Sequence, residues 1–479
     1  MRSRGASPRG DNIFPVRKIL LSSILQFAEL LRCKTISPVE LARHYLGEIE
    51  RLNPAINAFI TVTAESALAQ ARQAETEIMR GDWRGPLHGI PMGLKDLIDT
   101  AGIRTTAASQ LFKDRIPTED AEVVKRLKAA GAILVGKQNL HEFAYGGSSL
   151  VSYFGEARNA WNPLHIAGGS SGGSATAVAA GMCLAAIGTD TAGSIREPAA
   201  LCGVVGLKPT YDAVSVEGVM PLSPSLDHVG PIATTVADCA LLLGVITGSE
   251  AKTRRKPGNL ENIASGADRL RVGVLRAFFS EQLDPEVAAA FEQAATVLST
   301  IAGELHDLDL IVPTDRSLQI AESYASHVEF VRRSPELYQP ETVRRIRSGE
   351  NIGSDEILEQ RRELERERQR IGEIFDQVDL LVAPTTPVPA PAIEELKLNP
   401  DQLRPREIVL LRNTRPFNVW GLPAISVPCG FTQSGLPIGL QIAGPPHGEQ
   451  SVFQLARAYE AATTWHMKRP PTFTALEIR

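Results

Sequence analysis

The chain has 479 residues, of which 43% are hydrophobic and 22% are charged, and its formal net charge is -5. This composition is that of an ordinary globular protein, and the absence of a basic excess argues against a protein that binds nucleic acid directly. The five cysteines are scattered without CxxC spacing, which favours reduced, mostly buried thiols and a cytoplasmic location.

The N-terminal region has some features of a targeting signal. Residues 1–12 contain three arginines and the stretch 19–31 is fairly apolar, but Gln26 and Glu29 interrupt that stretch and no small-x-small cleavage site follows. We therefore predict an ordinary tail that leads into a helix. No apolar run reaches the ~18 residues that a membrane span needs, so no membrane association is expected.

Residues 1–70 are predicted to form a tail and helices. The residues 37–40, Ser-Pro-Val-Glu, form a capping box with proline at the first helical position, and this helix should run to about Leu52. A second helix should begin after Thr63 and end near Gly81. These two helices make the N-terminal region α-helical.

Short strands and helices alternate in the segment that follows. Residues 88–96 mix apolar residues with glycines, as a buried strand or turn would, and a helix is predicted over 118–131 with a glycine stop. Residues 132–136 then form a short apolar strand. This alternation indicates an α/β fold with a mixed sheet.

The stretch 167–210 carries two serines in glycine-rich turns, Ser170 in GGSSGGS and Ser194 in TAGSIR. Small residues over 174–181 predict a helix that packs closely against other backbone. Glycine permits a positive φ or a close approach to a ligand. The two turns are therefore candidates for a site with a nucleophile and backbone N–H donors for an oxyanion.

Residues 71–479 are predicted to form one large domain, with a mostly helical insertion at about 250–378. Within it we expect a surface loop at 252–256, a strand at 271–275, and a strongly helical, charged segment at 317–370. Strands return near 379, 424 and 436, and a helix over 448–463 closes the chain.

Three other interpretations of the central stretch compete. Gly168-x-Ser170-x-Gly172 fits the nucleophile elbow of α/β-hydrolases, but the preceding segment is loop-like where that elbow needs a strand. A phosphate-binding loop would need a lysine after the glycines, and none follows. A purely structural glycine loop stays open, since serines commonly bond to nearby backbone.

A set of long motifs in fixed order resembles the amidase signature family. The motifs are GIPMGLKD, GGSSGGSA, GTDTAGSIR, CGVVGLKPT, SLDHVGP, PFN-x-x-GLPAISVPCG and GLPIGLQIAGP, and they extend over nearly the whole chain. The resemblance implies an α/β/α sandwich around a mixed β-sheet, with no metal and no cofactor.

The resemblance also implies a Ser–Ser–Lys catalytic triad. Lys95 would be the base, Ser170, after a cis peptide bond, the bridging serine, and Ser194 the nucleophile. A lysine can act as a base only when neutral, so Lys95 must be desolvated; the competing interpretation is a buried lysine paired with Asp96. The implied oxyanion donors are the backbone N–H groups of Thr191, Ala192, Gly193 and Ser194.

Three residues depart from the family pattern. Ala192 stands where the family usually has glycine, and Asp212 replaces another usual glycine. Glu197 follows the GSIR motif where an apolar residue or glutamine is usual. A carboxylate there predicts that Glu197 contributes to specificity by favouring a polar or cationic substrate.

These observations predict an amidase that hydrolyses a carboxamide through an acyl-enzyme on Ser194. The first interpretation is a stand-alone amidase whose partners are a small-molecule amide and at most a second copy in a homodimer. The alternative is the A subunit of a glutamine-dependent tRNA amidotransferase. A catalytically silent scaffold subunit is the third hypothesis, although all three triad residues are present.

Overall fold

The computed structural model describes residues 17–19, 23–248, 263, 265–471 and 476–478. Its helices are α1 Ile24–Arg32, α2 Pro38–Ile56, α3 Ala64–Arg80, α4 Glu122–Ala129, α5 Gly172–Ala179, α6 Arg196–Cys202, α7 Val236–Ile246, α8 Ala277–Ser280, α9 Pro285–Ile301, α10 Ser317–Arg333, α11 Pro340–Arg347, α12 Ser354–Arg370, α13 Ile393–Leu398, α14 Leu403–Leu410, α15 Pro416–Val419 and α16 Glu449–Ala462. Its strands are β1 Arg17–Ile19, β2 Phe59–Val62, β3 Pro91–Lys95, β4 Ile133–Gln138, β5 Ala185–Asp190, β6 Val205–Lys208, β7 His228–Ala233, β8 Arg271–Leu275, β9 Glu304–Leu308, β10 Leu380–Pro384, β11 Ala424–Phe431, β12 Pro437–Ala443 and β13 Leu476–Ile478.

An 11-stranded mixed sheet runs through the molecule in the order β2-β4-β3-β5-β7-β6-β11-β12-β10-β8-β9. Strands β4, β3 and β5 are mutually parallel neighbours, whereas β7 pairs antiparallel with both β5 and β6. The short strands β1 and β13 form a separate antiparallel pair. Because β3 and β5 are parallel, their carboxyl ends meet at one edge of the sheet.

Hydrophobic side chains cover both faces of this sheet. Along β4, Ile133 and Val135 belong to one apolar cluster while Leu134 belongs to another, as the two-residue period of a strand requires. Helices α2, α3 and α5 supply most of the first cluster, and α4, α7, α9 and α16 supply the second. The predicted α/β/α sandwich around a mixed sheet is therefore confirmed.

The N-terminal helices start as their sequence predicts. The Ser37 hydroxyl accepts hydrogen bonds from the backbone N–H groups of Val39 and Glu40, and the Glu40 side chain accepts one from the Ser37 N–H. Helix α2 continues past the predicted end at Leu52 because Pro54 is accommodated inside its last turn. In the described part of the chain, every helix is too short or too polar to cross a lipid bilayer.

The predicted helical insertion at about 250–378 contains two strands of the main sheet. Strand β8 was predicted, but β9 was not; β9 lies at the sheet edge, pairs parallel with β8, and has mostly exposed side chains without an apolar alternation. The charged segment 317–370 divides into α10, α11 and α12. The predicted tail at 1–12 and loop at 252–256 lie outside the described residues.

Candidate active site

The two glycine-rich turns meet at the carboxyl ends of β3 and β5. Lys95 is the last residue of β3, and the loop that carries Ser194 begins where the neighbouring parallel strand β5 ends. Ser170 lies just before α5, and the N–H of the next residue, Ser171, donates to the carbonyl of Ser194 at 3.2 Å. The fold thus brings Lys95, Ser170 and Ser194 together.

Lys95 is fully buried and hydrogen-bonded to a serine. Its Nζ donates to Ser170 Oγ at 2.7 Å and to Thr189 Oγ1 at 2.8 Å. Burial lowers the pKa of Lys95 from 10.5 to about 7, while the carboxylates of Asp190 and Asp227 act in the opposite direction. A lysine with this pKa is partly neutral near pH 7 and can accept a proton.

The competing interpretation of Lys95, a structural pair with Asp96, is not what the structure shows. The Asp96 carboxylate lies 3.6 Å from the Nζ of a different lysine, Lys137, and accepts the N–H of Thr106 at 3.0 Å. Lys137 in turn donates to the carbonyl of Ile98 at 2.6 Å. Asp96 and Lys137 therefore form their own buried cluster, and Lys95 is directed to Ser170.

The Ser170 loop is held by a carboxyl group from the helix that follows Ser194. The peptide bond between Gly169 and Ser170 is cis. The Gly169 N–H donates to Glu197 Oε2 at 2.7 Å, and Glu197 is fully buried. Burial raises the pKa of Glu197 well above its ordinary value, which disfavours a negative charge. Glu197 supports the loop and does not line the cavity beside Ser194, so its predicted role in favouring cationic substrates does not match its position.

Ser194 lines a cavity together with Thr191 and Ala192 of the same loop. Among the described residues, the Ser194 hydroxyl and the N–H groups of Thr191, Ala192 and Ser194 make no hydrogen bond. Gly193 differs, since its N–H donates to Asp190 Oδ1 at 2.8 Å. Three of the four predicted oxyanion donors are therefore available, and Gly193 is not.

Gly193 has a geometric role instead. Its φ is +135°, and a Cβ added there would lie 2.0 Å from the hydroxyl oxygen of Thr414. That hydroxyl donates to the carbonyl of Ala192 at 2.8 Å, which fixes the peptide between Ala192 and Gly193. The departure from the family pattern at Ala192 adds a methyl group to the cavity wall.

A buried ion pair stabilises the Ser194 loop. Arg196 Nη2 lies 3.0 Å from Asp190 Oδ1, and both side chains are fully buried. Arg196 also donates to the carbonyl of Thr414 at 2.8 Å and to the side chains of Gln441 and Asn418. The partners of Arg196 could not be found from sequence, because they come from segments more than 200 residues away.

A small, partly open cavity lies beside Ser194. It is lined by Ala144, Tyr145, Gly146, Thr191, Ala192, Ser194, Leu222, Arg316, Gln319, Arg404 and Leu411. Of these residues, only those of the Ser194 loop could be identified from sequence, because Arg316 and Arg404 lie outside every motif. His228 lies in a neighbouring cavity, where one ring nitrogen is 2.7 Å from the carbonyl of Leu226.

The sequence profile of the family described as Amidase matches residues 40–453. The chain belongs to the amidase family. Membership in the amidase family, together with a buried lysine–serine pair next to a free serine, indicates an enzyme that hydrolyses amide bonds.

Two amidase-family relatives are A subunits of glutamyl-tRNA(Gln) amidotransferases. The chain is 38% identical over 484 residues to the A subunit from Thermosynechococcus vestitus, covering 94% of this chain and 100% of that protein. It is 40% identical over 477 residues to the A subunit from Roseiflexus sp., covering 92% and 96%.

Solved amidase-family structures have the same fold. A 6-aminohexanoate cyclic dimer hydrolase complexed with substrate superposes with a TM-score of 0.86 at 30% identity, covering 95% of this chain and 100% of that chain. The glutamyl-tRNA(Gln) amidotransferase A subunit from Thermotoga maritima superposes with a TM-score of 0.74 at 33% identity, covering 92% and 94%.

These relatives correct the predicted partners. We expected a small-molecule amide, no direct link to nucleic acid, and at most a homodimer. That prediction is wrong, because the relatives are named as subunits of an enzyme that acts on glutamyl-tRNA. The prediction relied on the net charge and on the single amidase domain. Neither feature indicates whether a chain is a subunit of a larger enzyme.

Proposed function

We propose that the chain is the amide-hydrolysing subunit of a hetero-oligomeric enzyme built like a glutamine-dependent tRNA amidotransferase. The observation that carries the proposal is identity of 38% and 40% to two subunits of this kind over more than nine-tenths of the chain. The second support is the triad geometry, which supplies a buried base for a serine nucleophile. In such an assembly, the released ammonia would be used by a partner subunit.

The reaction begins with attack of Ser194 Oγ on the carbonyl carbon of the amide. The Ser194 proton passes to Ser170, whose own proton passes to the neutral amine of Lys95. The N–H groups of Thr191, Ala192 and Ser194 stabilise the negative oxygen of the tetrahedral intermediate.

Collapse of the intermediate breaks the carbon–nitrogen bond. The proton held at Lys95 returns through Ser170 to the leaving nitrogen, so ammonia departs neutral and an ester on Ser194 remains. Water then attacks this ester, with its proton taken by the same two residues, and the carboxylic acid and free Ser194 are regenerated. Every step uses only the three triad side chains and the backbone donors.

A stand-alone amidase is the second candidate, and one observation favours it. The TM-score to 6-aminohexanoate cyclic dimer hydrolase is 0.86, whereas that to the solved amidotransferase subunit is 0.74. The two candidates share the chemistry at Ser194 and differ in whether a partner subunit is required.

The test compares ammonia release by the chain alone and by the chain co-expressed with the remaining subunits of a glutamyl-tRNA(Gln) amidotransferase. We expect a stable complex and release that increases in it, with Ser194→Ala inactive and the exposed control Ser299→Ala unchanged. Full activity alone without complex formation would favour the stand-alone amidase. No turnover of any amide in either preparation would favour the silent scaffold.

A further inference from the structure

We infer that Arg316 and Arg404 form a binding site for a carboxylate group of the substrate. The inference rests on the proposed hydrolysis of an amide at Ser194, and in either candidate assembly it assigns an amide other than glutamine as the preferred substrate. It assigns a substrate class, namely amides that carry a carboxylate at their other end and no ammonium group.

Arg316 presents a guanidinium group that no protein acceptor fully satisfies. It immediately precedes α10 and lines the same cavity as Ser194. Its Nη1 is buried and has no hydrogen-bond partner among the described residues. A buried, unpartnered donor is costly, and a charged one more so. The missing acceptor is therefore expected to come from a bound ligand.

The segment before Arg316 is fixed by a second arginine. Arg415 donates through Nη1 to the carbonyl of Pro313 at 3.1 Å and through Nη2 to the carbonyl of Asp315. These bonds fix the backbone segment that ends at Arg316. The backbone next to Arg316 is thus fixed before any ligand binds, which reduces the entropy lost on binding.

Arg404 lines the same cavity from helix α14 and is also poorly neutralised. Its carboxylate neighbour, Glu407, has an oxygen 3.8 Å away. Glu407 already accepts from Arg345 at 2.6 Å and from the Ser148 hydroxyl at 2.6 Å. Arg404 also lies over the ring of Tyr145, with its guanidinium carbon 5.7 Å from the centroid. Glu407 is therefore shared by Arg404 and Arg345, and Arg345 also pairs with Glu341 at 2.6 Å.

The charges around Arg316 leave a net positive cavity. Burial and the guanidinium groups of Arg415 and Arg404 lower the pKa of Arg316 to about 9, so it still carries a proton at neutral pH. No aspartate or glutamate is among the described residues that line the cavity. Asp227 lines a neighbouring cavity, and both its oxygens accept hydrogen bonds from Thr191, Leu222 and Ser223.

This distribution of charge separates two kinds of amide. A carboxylate can form paired hydrogen bonds with guanidinium groups, whereas an ammonium would meet two arginines, no carboxylate in the cavity lining, and only the neutral Gln319 Oε1 as an unpartnered acceptor. Glutamine carries both groups; glutaramate, which is glutamine without its amino group, carries only the carboxylate. We expect glutaramate to be hydrolysed with a higher kcat/KM than glutamine.

The experiment measures kcat/KM for malonamate, succinamate and glutaramate, their neutral methyl esters, and glutamine. The variants are Arg316→Met and Arg404→Met, with Arg406→Met as the matched control, since Arg406 lies on the same helix as Arg404 but is exposed and paired with Glu395 at 3.2 Å. We expect both cavity variants to lose about 10- to 100-fold on the best anionic amide. For neutral amides, kcat/KM of the two cavity variants should change by less than about threefold, and the control variant should match the wild type.

A binding measurement separates this inference from the proposed function. Calorimetry with glutarate and succinate on the Ser194→Ala protein reports the anion site without any turnover. Dicarboxylate binding that Arg316→Met abolishes, in a chain that hydrolyses no amide, would support the site and refute the proposed function. No dicarboxylate binding, equal losses on anionic and neutral amides, or a preference for glutamine over glutaramate would overturn the inference.

Discussion

At the scale of single residues, the buried amine of Lys95 decides whether the site can work. A primary amine in water is protonated at neutral pH and cannot accept a proton. Enclosure in the protein lowers the pKa of Lys95 to about 7, and its hydrogen bonds to Ser170 and Thr189 fix its direction. Burial therefore supplies the basicity, and the two hydroxyl groups supply the orientation.

The first prediction concerns the pH dependence of hydrolysis. Only the neutral form of Lys95 is a base, and the neutral fraction increases as the pH rises through its pKa. We expect kcat/KM for a neutral amide to rise with pH, with a midpoint of about 7, and to reach a plateau above it. A pH–rate profile on the purified enzyme measures this; a midpoint above about 9 would contradict the burial argument.

The second prediction concerns a substitution that removes one contact of Lys95. Thr189→Val removes the hydroxyl that accepts from Nζ at 2.8 Å. Because that acceptor stabilises the charged amine, the pKa of Lys95 should fall, and the midpoint of the pH profile should move to lower pH by about one unit. The exposed control Thr296→Val should leave the midpoint where it is. An unchanged or raised midpoint in Thr189→Val would show that this contact does not act on the proton.

At the scale of elements, helix α5 positions the Ser170 loop by close backbone contact. All its residues are buried, and they are small, as the sequence predicted. A Cβ added at Gly173 would lie 2.3 Å from the carbonyl oxygen of Asn139 and 2.7 Å from that of Ala58. The helix can approach these segments only because position 173 has no side chain.

The third prediction compares two glycines in helices. Gly173→Ala should lower the free energy of unfolding by at least about 1–3 kcal/mol, since backbone atoms must move apart. Gly47 lies in α2 with nothing within 4 Å of an added Cβ, so Gly47→Ala should raise the free energy of unfolding by about 0.5–1 kcal/mol. Urea unfolding measures both; equal effects of the two variants would refute the close-contact argument.

The sequence predicted the elements whose signals are local. The capping box at Ser37 and the motifs around Lys95, Ser170 and Ser194 lie in contiguous stretches, so their positions could be read directly. Strand β9 was missed because an exposed edge strand has no apolar alternation. The occupied N–H of Gly193 was missed because its acceptor depends on the rotamer of Asp190.

At the scale of the whole molecule, Arg196 joins segments that are far apart in the chain. It binds Asp190 at the end of β5, Gln441 in β12 and Asn418 in α15, and all of these side chains are buried. The cavity arginines likewise come from the region before α10 and from α14. Contacts between such distant segments depend on tertiary structure, and no local sequence pattern predicts them.

The fourth prediction tests this junction. Arg196→Met leaves the Asp190 carboxylate buried without its partner, and we expect a loss of about 3–5 kcal/mol in the free energy of unfolding. Arg366 and Glu359 form an exposed pair at 2.7 Å, and Arg366→Met should cost less than about 1 kcal/mol. Denaturant titrations distinguish these values; a similar small loss in both variants would mean that the junction does not stabilise the fold.

The most direct measurement is the identification of the residue that becomes acylated. The enzyme is mixed with a carboxamide or ester substrate, quenched with acid, digested, and analysed by mass spectrometry for a covalent acyl group. The account predicts the acyl group on Ser194, with no label after Ser194→Ala and reduced labelling after Lys95→Met. An acyl group on Ser170, or turnover without any acylated serine, would contradict it.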